Sequence, residues 1–459
     1  MDRGAAAGFP PPRPRPAPAG FPPPRPAAAR PRREVDISIF RYSDIPNPII
    51  PKKKMKFNII GIPDRPEPFF PPEVAEEISR GRVFSGGRRH HELVGRLLPA
   101  GARWIDITVP LDDVFAQYRQ LGDEAHVTVF ASGDPLFFGF ANTIRERMPE
   151  AAVQLFPTFN SLQMLAHRLV MPYHDMRIVS LTGRPWPDFD RALIERTAKI
   201  GVLTDREHTP AAIARRMTDY GFTDYRMHVG EHLGHPDRER ITTLTLSEAA
   251  AHEFSHPNCL ILEATAALPP RPFGIPDSDF ALLDGRERMI TKMPIRLLSL
   301  QALDLSRRHV LWDIGFCTGS ISIEARLLFP HLRIEAFEIR PECEAIIREN
   351  MRRHHAPGIA VHMGDFLSGE RRTENGELAT ASLDAVFIGG HGGHLKQIMA
   401  KVASCLAPGG VIVMNSVTPA SRQLFAEACA ELGLRQLPTM HIALNDYNPI
   451  DILKCEQPS

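Results

Sequence analysis

The 459-residue sequence lacks any apolar run near the ~20 residues that a membrane-spanning helix needs. Its start has no apolar core of a secretory signal. Six cysteines (Cys259, Cys317, Cys343, Cys405, Cys429 and Cys455) are scattered without a C-x-x-C pair. That spacing excludes a disulfide framework and a zinc ribbon, and it reads as reduced thiols of a cytoplasmic protein. Net charge is also missing: 54 Lys/Arg balance 54 Asp/Glu. The balance is uneven, because residues 1–54 hold eleven Lys/Arg against four Asp/Glu, leaving a mildly acidic remainder. An acidic body with 7% aromatics has no broad basic-aromatic face, which argues against nucleic acid as a partner. No membrane partner is expected either.

Proline, by contrast, is abundant. AGFPPPRP occurs at Ala7–Pro14 and again at Ala19–Pro26. Proline fixes φ and removes a donor, so residues 1–54 are expected to form a disordered Pro/Arg-rich tail. A polyproline ligand for an SH3-like partner and an upstream start site before Met55 are its alternative readings. From Met55 onward, apolar strands alternate with helical patterns, so the fold class is α/β. KFNIIGI, HVTVF, MRIVSLTGR, KIGVLTD and CLILEA are strands of a first region, residues 55–266. ALPPRPFGIPDSDF, residues 267–280, carries four prolines and no periodicity, and is expected to be a linker without contacts. Residues 281–459 form a second region that finishes with two strands and no helix between them.

The most informative stretch is LWDIGFCTGSISIEA, Leu311–Ala325. An apolar strand ends in Asp313, a turn carries Gly315 and Gly319, and a helix follows. Glycines let a backbone approach a ligand, and free N–H groups at the helix start face it. The next strand, RIEAFEI, ends in Glu338, which can accept both hydroxyls of a ribose. The turn reads G-x-x-x-G, so S-adenosylmethionine (SAM) fits better than a dinucleotide.

The second region resembles the carbon-15 methyltransferase/decarboxylases of cobalamin biosynthesis. The resemblance rests on GIPDSDFALLDGRERMITKMPIR (Gly274–Arg296), L-W-D-x-G and the double-glycine loop FIGGHGGH (Phe387–His394). The first region resembles the tetrapyrrole methylases that act at carbon 5. Its motifs are SGGRRHHELV (Ser85–Val94), ASGDPLFFG (Ala131–Gly139), PTFNSLQMLAHRLVMPYHD (Pro157–Asp175) and SLTGR (Ser180–Arg184). Fused in this order, the two resemble the bifunctional precorrin-6Y methyltransferases. The resemblance implies a tetrapyrrole-methylase-like α/β domain followed by a Rossmann-like class I SAM-dependent methyltransferase domain. It also implies two methylations of a precorrin with loss of CO₂, and a homo-oligomer.

The resemblance also assigns residues. Gly133, Asp134 and Pro135 form the SAM turn of the first region. In the second, Asp313, Gly315, Cys317 and Gly319 border the methionine end, Glu338 holds the ribose and Asp365 meets the adenine amine. Arg88, Arg89, Arg184, Lys292 and Arg296 are candidates for the substrate carboxylates, because a guanidinium meets a carboxylate bidentately. His391 and His394 are candidates for proton handling. His90 and His91, read as strand neighbours, face opposite sides, and no metal site is expected. Two departures from the family pattern stand out. The first region's glycine loop is the proline-filled GIPDRPEPFF, and Cys317 replaces a middle glycine. The first departure leaves open a reading in which only the second region is active and the first is a tetrapyrrole-holding scaffold. An RNA methyltransferase with a basic arm is a further reading, disfavoured by the acidic body. A proline-rich adaptor whose folded part is incidental is a fourth reading, which loss of residues 1–54 without loss of activity would dismiss.

Overall fold

The computed structural model describes residues 55–267, 270–368, 383–445 and 448–458. The proline-rich segment before Met55, with its expected disorder, lies outside the described residues. No helix among the described residues is long and apolar enough to cross a membrane.

The first region builds two sheets. The first contains β1 (Lys56–Ile62), β2 (Val83–Gly86), β3 (Arg103–Asp106), β4 (His126–Ser132) and β5 (Ala152–Phe156), in the order β3-β2-β4-β1-β5. All of its pairings are parallel. Its two central strands, KFNIIGI and HVTVFAS, are near-continuously buried, as a parallel sheet covered on both faces requires. The second sheet contains β6 (Arg177–Ser180), β7 (Lys199–Leu203), β8 (Tyr225–Glu231), β9 (Arg240–Thr245) and β10 (Asn258–Ala264), in the order β6-β7-β10-β8-β9. Only β6 and β7 pair in parallel; the other pairings are antiparallel. The edge strand RITTLT is half-exposed and polar, and His228 Nδ1 meets Thr243 Oγ1 across the β8–β9 pair at 2.9 Å.

The second region forms one sheet from β11 (Val310–Ile314), β12 (Arg333–Glu338), β13 (Ile359–Met363), β14 (Leu383–Ile388), β15 (Leu406–Ser416), β16 (Arg435–Gln436), β17 (Met440–Ile442) and β18 (Ile450–Glu456). The order is β13-β12-β11-β14-β15-β18-β16, with β17 also on β18. β18 runs antiparallel to β15. The first of the two final strands expected from sequence, LRQLPTMHIAL, divides into β16 and β17 around Pro438, which has no N–H for the ladder. From β11 the chain passes to β12 and β13 on one side and returns to β14 and β15 on the other. The reversal leaves a crevice at the carboxyl ends of β11 and β14, where open α/β sheets bind ligands.

The expectation of a contact-free linker is corrected. Arg271 donates from Nε to Ile194 O at 3.3 Å and from Nη1 to His354 O at 2.9 Å. Ile275 and Phe280 are buried in the core of the third sheet with Leu300, Ile321 and Met351. Asp190, on the helix Pro187–Ile194, is 1% exposed. It takes a bidentate fork from Arg216, Nε at 2.8 Å and Nη2 at 2.7 Å, and lies 3.8 Å from Arg326 Nη2 on the helix Ser320–Leu328. The first and second regions thus share a buried ionic contact.

Candidate functional site

Two clefts gather most of the candidate residues. The first lies between the two sheets of the first region and encloses a cavity of about 430 Å³. Phe130, Phe137, Phe138, Phe140 and Phe159 supply much of its wall, and Asp64, Arg89 and His90 supply polarity. The G-D-P turn sits at its edge. Gly133 has φ +61°, and a Cβ there would stand 2.9 Å from Asn160 Cα. Asp134 Oδ1 accepts from Leu136 N at 2.9 Å, which closes the turn. Gly133 lines the cavity; Asp134 and Pro135 shape the turn without lining it. The proline-filled loop keeps its one essential glycine: a Cβ on Gly61 would lie 1.9 Å from Gly133 O. The two loops therefore interlock despite the altered sequence.

That loop also delivers Asp64, which the sequence reading missed. Asp64 pairs with Arg89 and lies 3.7 Å from His232 Nδ1, while its Oδ2 has no hydrogen-bond partner. Arg89 reaches the cavity, but Arg88 does not: its side chain is 92% exposed and pairs with Glu92. Arg88 is therefore corrected to a surface charge, since the helix Arg88–Val94 turns it outward. The same helix corrects the strand reading of His90 and His91. His90 Nε2 meets Ser132 Oγ at 3.0 Å, and burial followed by the Arg89 charge pushes its pKa down to about 4. His91 stacks on Trp104. Arg184 donates to Ser180 Oγ at 2.8 Å and covers the Phe138 ring, outside the cavity wall.

The second cleft opens at the β11–β14 crevice, with a cavity of about 440 Å³. It brings together Gly315, Glu338, Asp365, His391 and His394. A small adjoining cavity of about 70 Å³ holds Asp313 and Cys317, and Gly315, Arg340 and Gly390 line both. Gly315 has φ +76°, and a Cβ there would fall 2.7 Å from Gly390 N. The turn after β11 and the double-glycine loop after β14 thus touch backbone to backbone. Gly319 precedes the helix Ser320–Leu328 at φ +74° and packs against Ile347, off the cavity wall. Cys317 holds φ +50°, the left-handed region its family glycine would adopt freely.

Asp313 is fully buried. Its Oδ2 accepts from Ser322 Oγ at 2.6 Å, and its Oδ1 has no partner. Burial pushes its carboxyl up to about 7 against the Ser322 hydrogen bonds, and the Glu338 charge adds to the rise. Glu338 is saturated with donors. Oε1 accepts from Ile339 N at 2.9 Å and from Arg340 N and Nε at 3.1 and 3.0 Å; Oε2 accepts from Cys317 N at 3.0 Å and Arg340 Nη2 at 2.7 Å. Burial raises its pKa, but the Arg340 fork and the backbone N–H groups reverse that and hold it below the usual carboxylate value. Asp365 Oδ1 accepts from Leu367 N at 3.0 Å. His391 Nδ1 accepts from Gly393 N at 3.2 Å, and burial, then His394, lowers its pKa.

The cations predicted for this cleft are elsewhere. Arg296 is fully buried, donating to Glu324 at 3.0 Å, Asp277 at 3.2 Å and Thr291 O at 2.8 Å, and also to Ile275 O. Its assignment to substrate is corrected: a buried guanidinium needs this many acceptors, and the segment 275–291 together with Glu324 supplies them. Lys292 stands 3.8 Å from Asp277 in the same cluster. Arg340, unassigned from sequence, is the one Lys or Arg among the described lining residues of this cleft. No cluster of metal-ligating side chains occurs among the described residues.

Comparison with known proteins follows the same division. Residues 75–250 match the model for tetrapyrrole (corrin/porphyrin) methylases, and residues 284–455 match the precorrin methyltransferase domain. A precorrin-6Y C(5,15)-methyltransferase (decarboxylating) from Sinorhizobium sp. is 32% identical over 79% of this chain and 84% of its own length. The chain belongs to the precorrin-6Y C(5,15)-methyltransferase family. Two relatives named for single activities align over shorter stretches. A cobalt-precorrin-6B C(15)-methyltransferase (decarboxylating) of Salmonella typhimurium is 33% identical over 38% of this chain and 85% of its own length. A cobalt-precorrin-7 C(5)-methyltransferase of the same organism is 26% identical over 39% of this chain and 86% of its own length. The family thus joins in one chain two activities that Salmonella relatives carry by name on separate ones.

Proposed function

We propose that this protein methylates a precorrin at carbons 5 and 15 and removes CO₂ from an acetate side chain, with SAM at each of two sites. The observation that carries the reading is the pairing of two glycine-built clefts on one chain, the first in the methylase half and the second at the β11–β14 crevice. Each has the volume of a small-molecule site. The second cleft suits SAM: the unpartnered buried Oδ1 of Asp313 fits an ammonium, Glu338 a ribose and Asp365 an adenine amine. In the first cleft, Gly133 brings bare backbone to the wall, as a nucleoside needs.

When bound, SAM supplies an electrophilic methyl on a sulfonium. The protein's residues then align and shield. The aromatic wall of the first cleft excludes water, and Arg89, steadied by Asp64, offers a cation to a substrate carboxylate. In the second, Gly393 N–H on His391 Nδ1 leaves the ring proton on Nε2, which can donate to the substrate or carry a proton to solvent. Loss of CO₂ leaves an electron pair that the conjugated ring accepts, so no protein nucleophile is needed. Six free thiols fit a reducing cytoplasm, and we expect a homo-oligomer there.

The test separates the sites. Gly133→Val places bulk at φ +61° against Asn160. With precorrin-6Y and SAM, it should yield a product with one methyl gained and CO₂ lost. Retention of both methyls would remove the first cleft from the scheme.

A further inference from the structure

Glu338 is the acid placed to take the ribose, yet Arg340 already occupies it with both prongs of a fork. The Glu338 side chain is 2% exposed, so there is no spare face for a diol while the fork is in place. The guanidinium is less confined, with 23% of the Arg340 side chain exposed and Nη1 only 3.6 Å from Met289 Sδ. It lines the main cavity and the small one, at their junction. A precorrin carries many carboxylates, and the two cations predicted from sequence, Lys292 and Arg296, stand against Asp277.

Building on the two-site reading above, we infer that Arg340 is the substrate-carboxylate residue of the second cleft, held on Glu338 until the cofactor's ribose displaces it. Exchanging a charged fork for neutral hydroxyls weakens cofactor binding by itself. A carboxylate arriving at the released guanidinium restores the lost ion pair. Cofactor and substrate therefore strengthen each other's binding, and by linkage the factor is the same in both directions. The cost of opening the fork disfavours cofactor bound without substrate.

The test is calorimetric titration of the full chain with S-adenosylhomocysteine, with and without saturating precorrin-6Y, in a Gly133→Val background that isolates the second cleft. In that background precorrin-6Y should tighten binding at least about fivefold, the low end of coupling between two ligands. Arg340→Gln should bind S-adenosylhomocysteine alone at least about fivefold more tightly and show no effect of precorrin-6Y. Its KM for precorrin-6Y in CO₂ release should rise with kcat less affected. Arg340→Lys keeps the charge without the fork, and should share the tighter binding and lose most of the coupling. Weaker binding in both variants, or coupling that persists in Arg340→Gln, overturns the inference while leaving the two-site reading intact. No heat and no CO₂ release from the chain with Arg340 intact would overturn that reading as well.

Discussion

Replacing Asp190 with alanine tests whether the two halves of this chain are one cooperative body. Asp190 is 1% exposed and accepts both prongs of Arg216 at 2.7–2.8 Å. It also faces Arg326, whose side chain is 3% exposed, at 3.8 Å. The site has no slack: a Cβ on Gly358 would lie 2.7 Å from Asp190 Oδ2. Removing the carboxylate leaves the buried Arg326 and the half-buried Arg216 without their counter-ion, and breaking a buried pair by deleting one partner costs about 3–5 kcal/mol. The lower end applies, about 3 kcal/mol, because Arg216 keeps the Trp186 and Tyr220 rings and Arg326 keeps three backbone carbonyls. Urea unfolding followed by tryptophan fluorescence measures it, since Trp186 lies 4.6 Å from the Arg216 guanidinium. Little change with added salt is expected, because buried pairs are poorly screened. A loss below about 1 kcal/mol, the range of exposed ion pairs, would refute the buried-contact account.

Three further outcomes follow from the second cleft. Asp313 has a folded pKa raised to about 7 by burial, so its contribution to stability is present below the ordinary carboxylate value and is lost as pH rises through 7. Binding a cation to its free Oδ1 reverses that preference, so S-adenosylmethionine affinity at this cleft should rise with pH up to about 7 and level off above it; Asp313→Asn should flatten the profile. Cys317→Gly relieves a left-handed residue and should be tolerated or tighten cofactor binding by up to about 1 kcal/mol, read by calorimetry. Gly315→Ala puts a methyl 2.7 Å from Gly390 N and should abolish CO₂ release while carbon-5 chemistry persists, read by product mass.

Much of this arrangement was legible from sequence because it is written in glycines and apolar runs. The strand–turn–helix from Leu311 to Ala325 and the acid at Glu338 lie where the pattern places them, whereas the penultimate strand breaks in two at Pro438. Three charged contacts were not legible, two of them because the partner is distant in sequence. Arg296 reads as a cation for a substrate carboxylate, and only Glu324 and Asp277 show that it is buried. Asp190 and Arg326 are 136 positions apart and meet only after both halves fold. Arg340 follows Glu338 by two residues, a spacing that on a strand would share one face. The fork depends instead on the chain turning just past β12. The division of the first region into two sheets was hidden by polar edge strands such as RITTLT, whose threonines carry little apolar alternation.

The proposed function requires two working sites in one chain. Mass spectrometry of the tetrapyrrole formed from precorrin-6Y and methyl-labelled SAM tests that claim most directly. Two labelled methyls gained and one CO₂ lost per tetrapyrrole is the predicted result. A product with one labelled methyl and CO₂ lost would contradict it, leaving the methylase half as a holder of substrate.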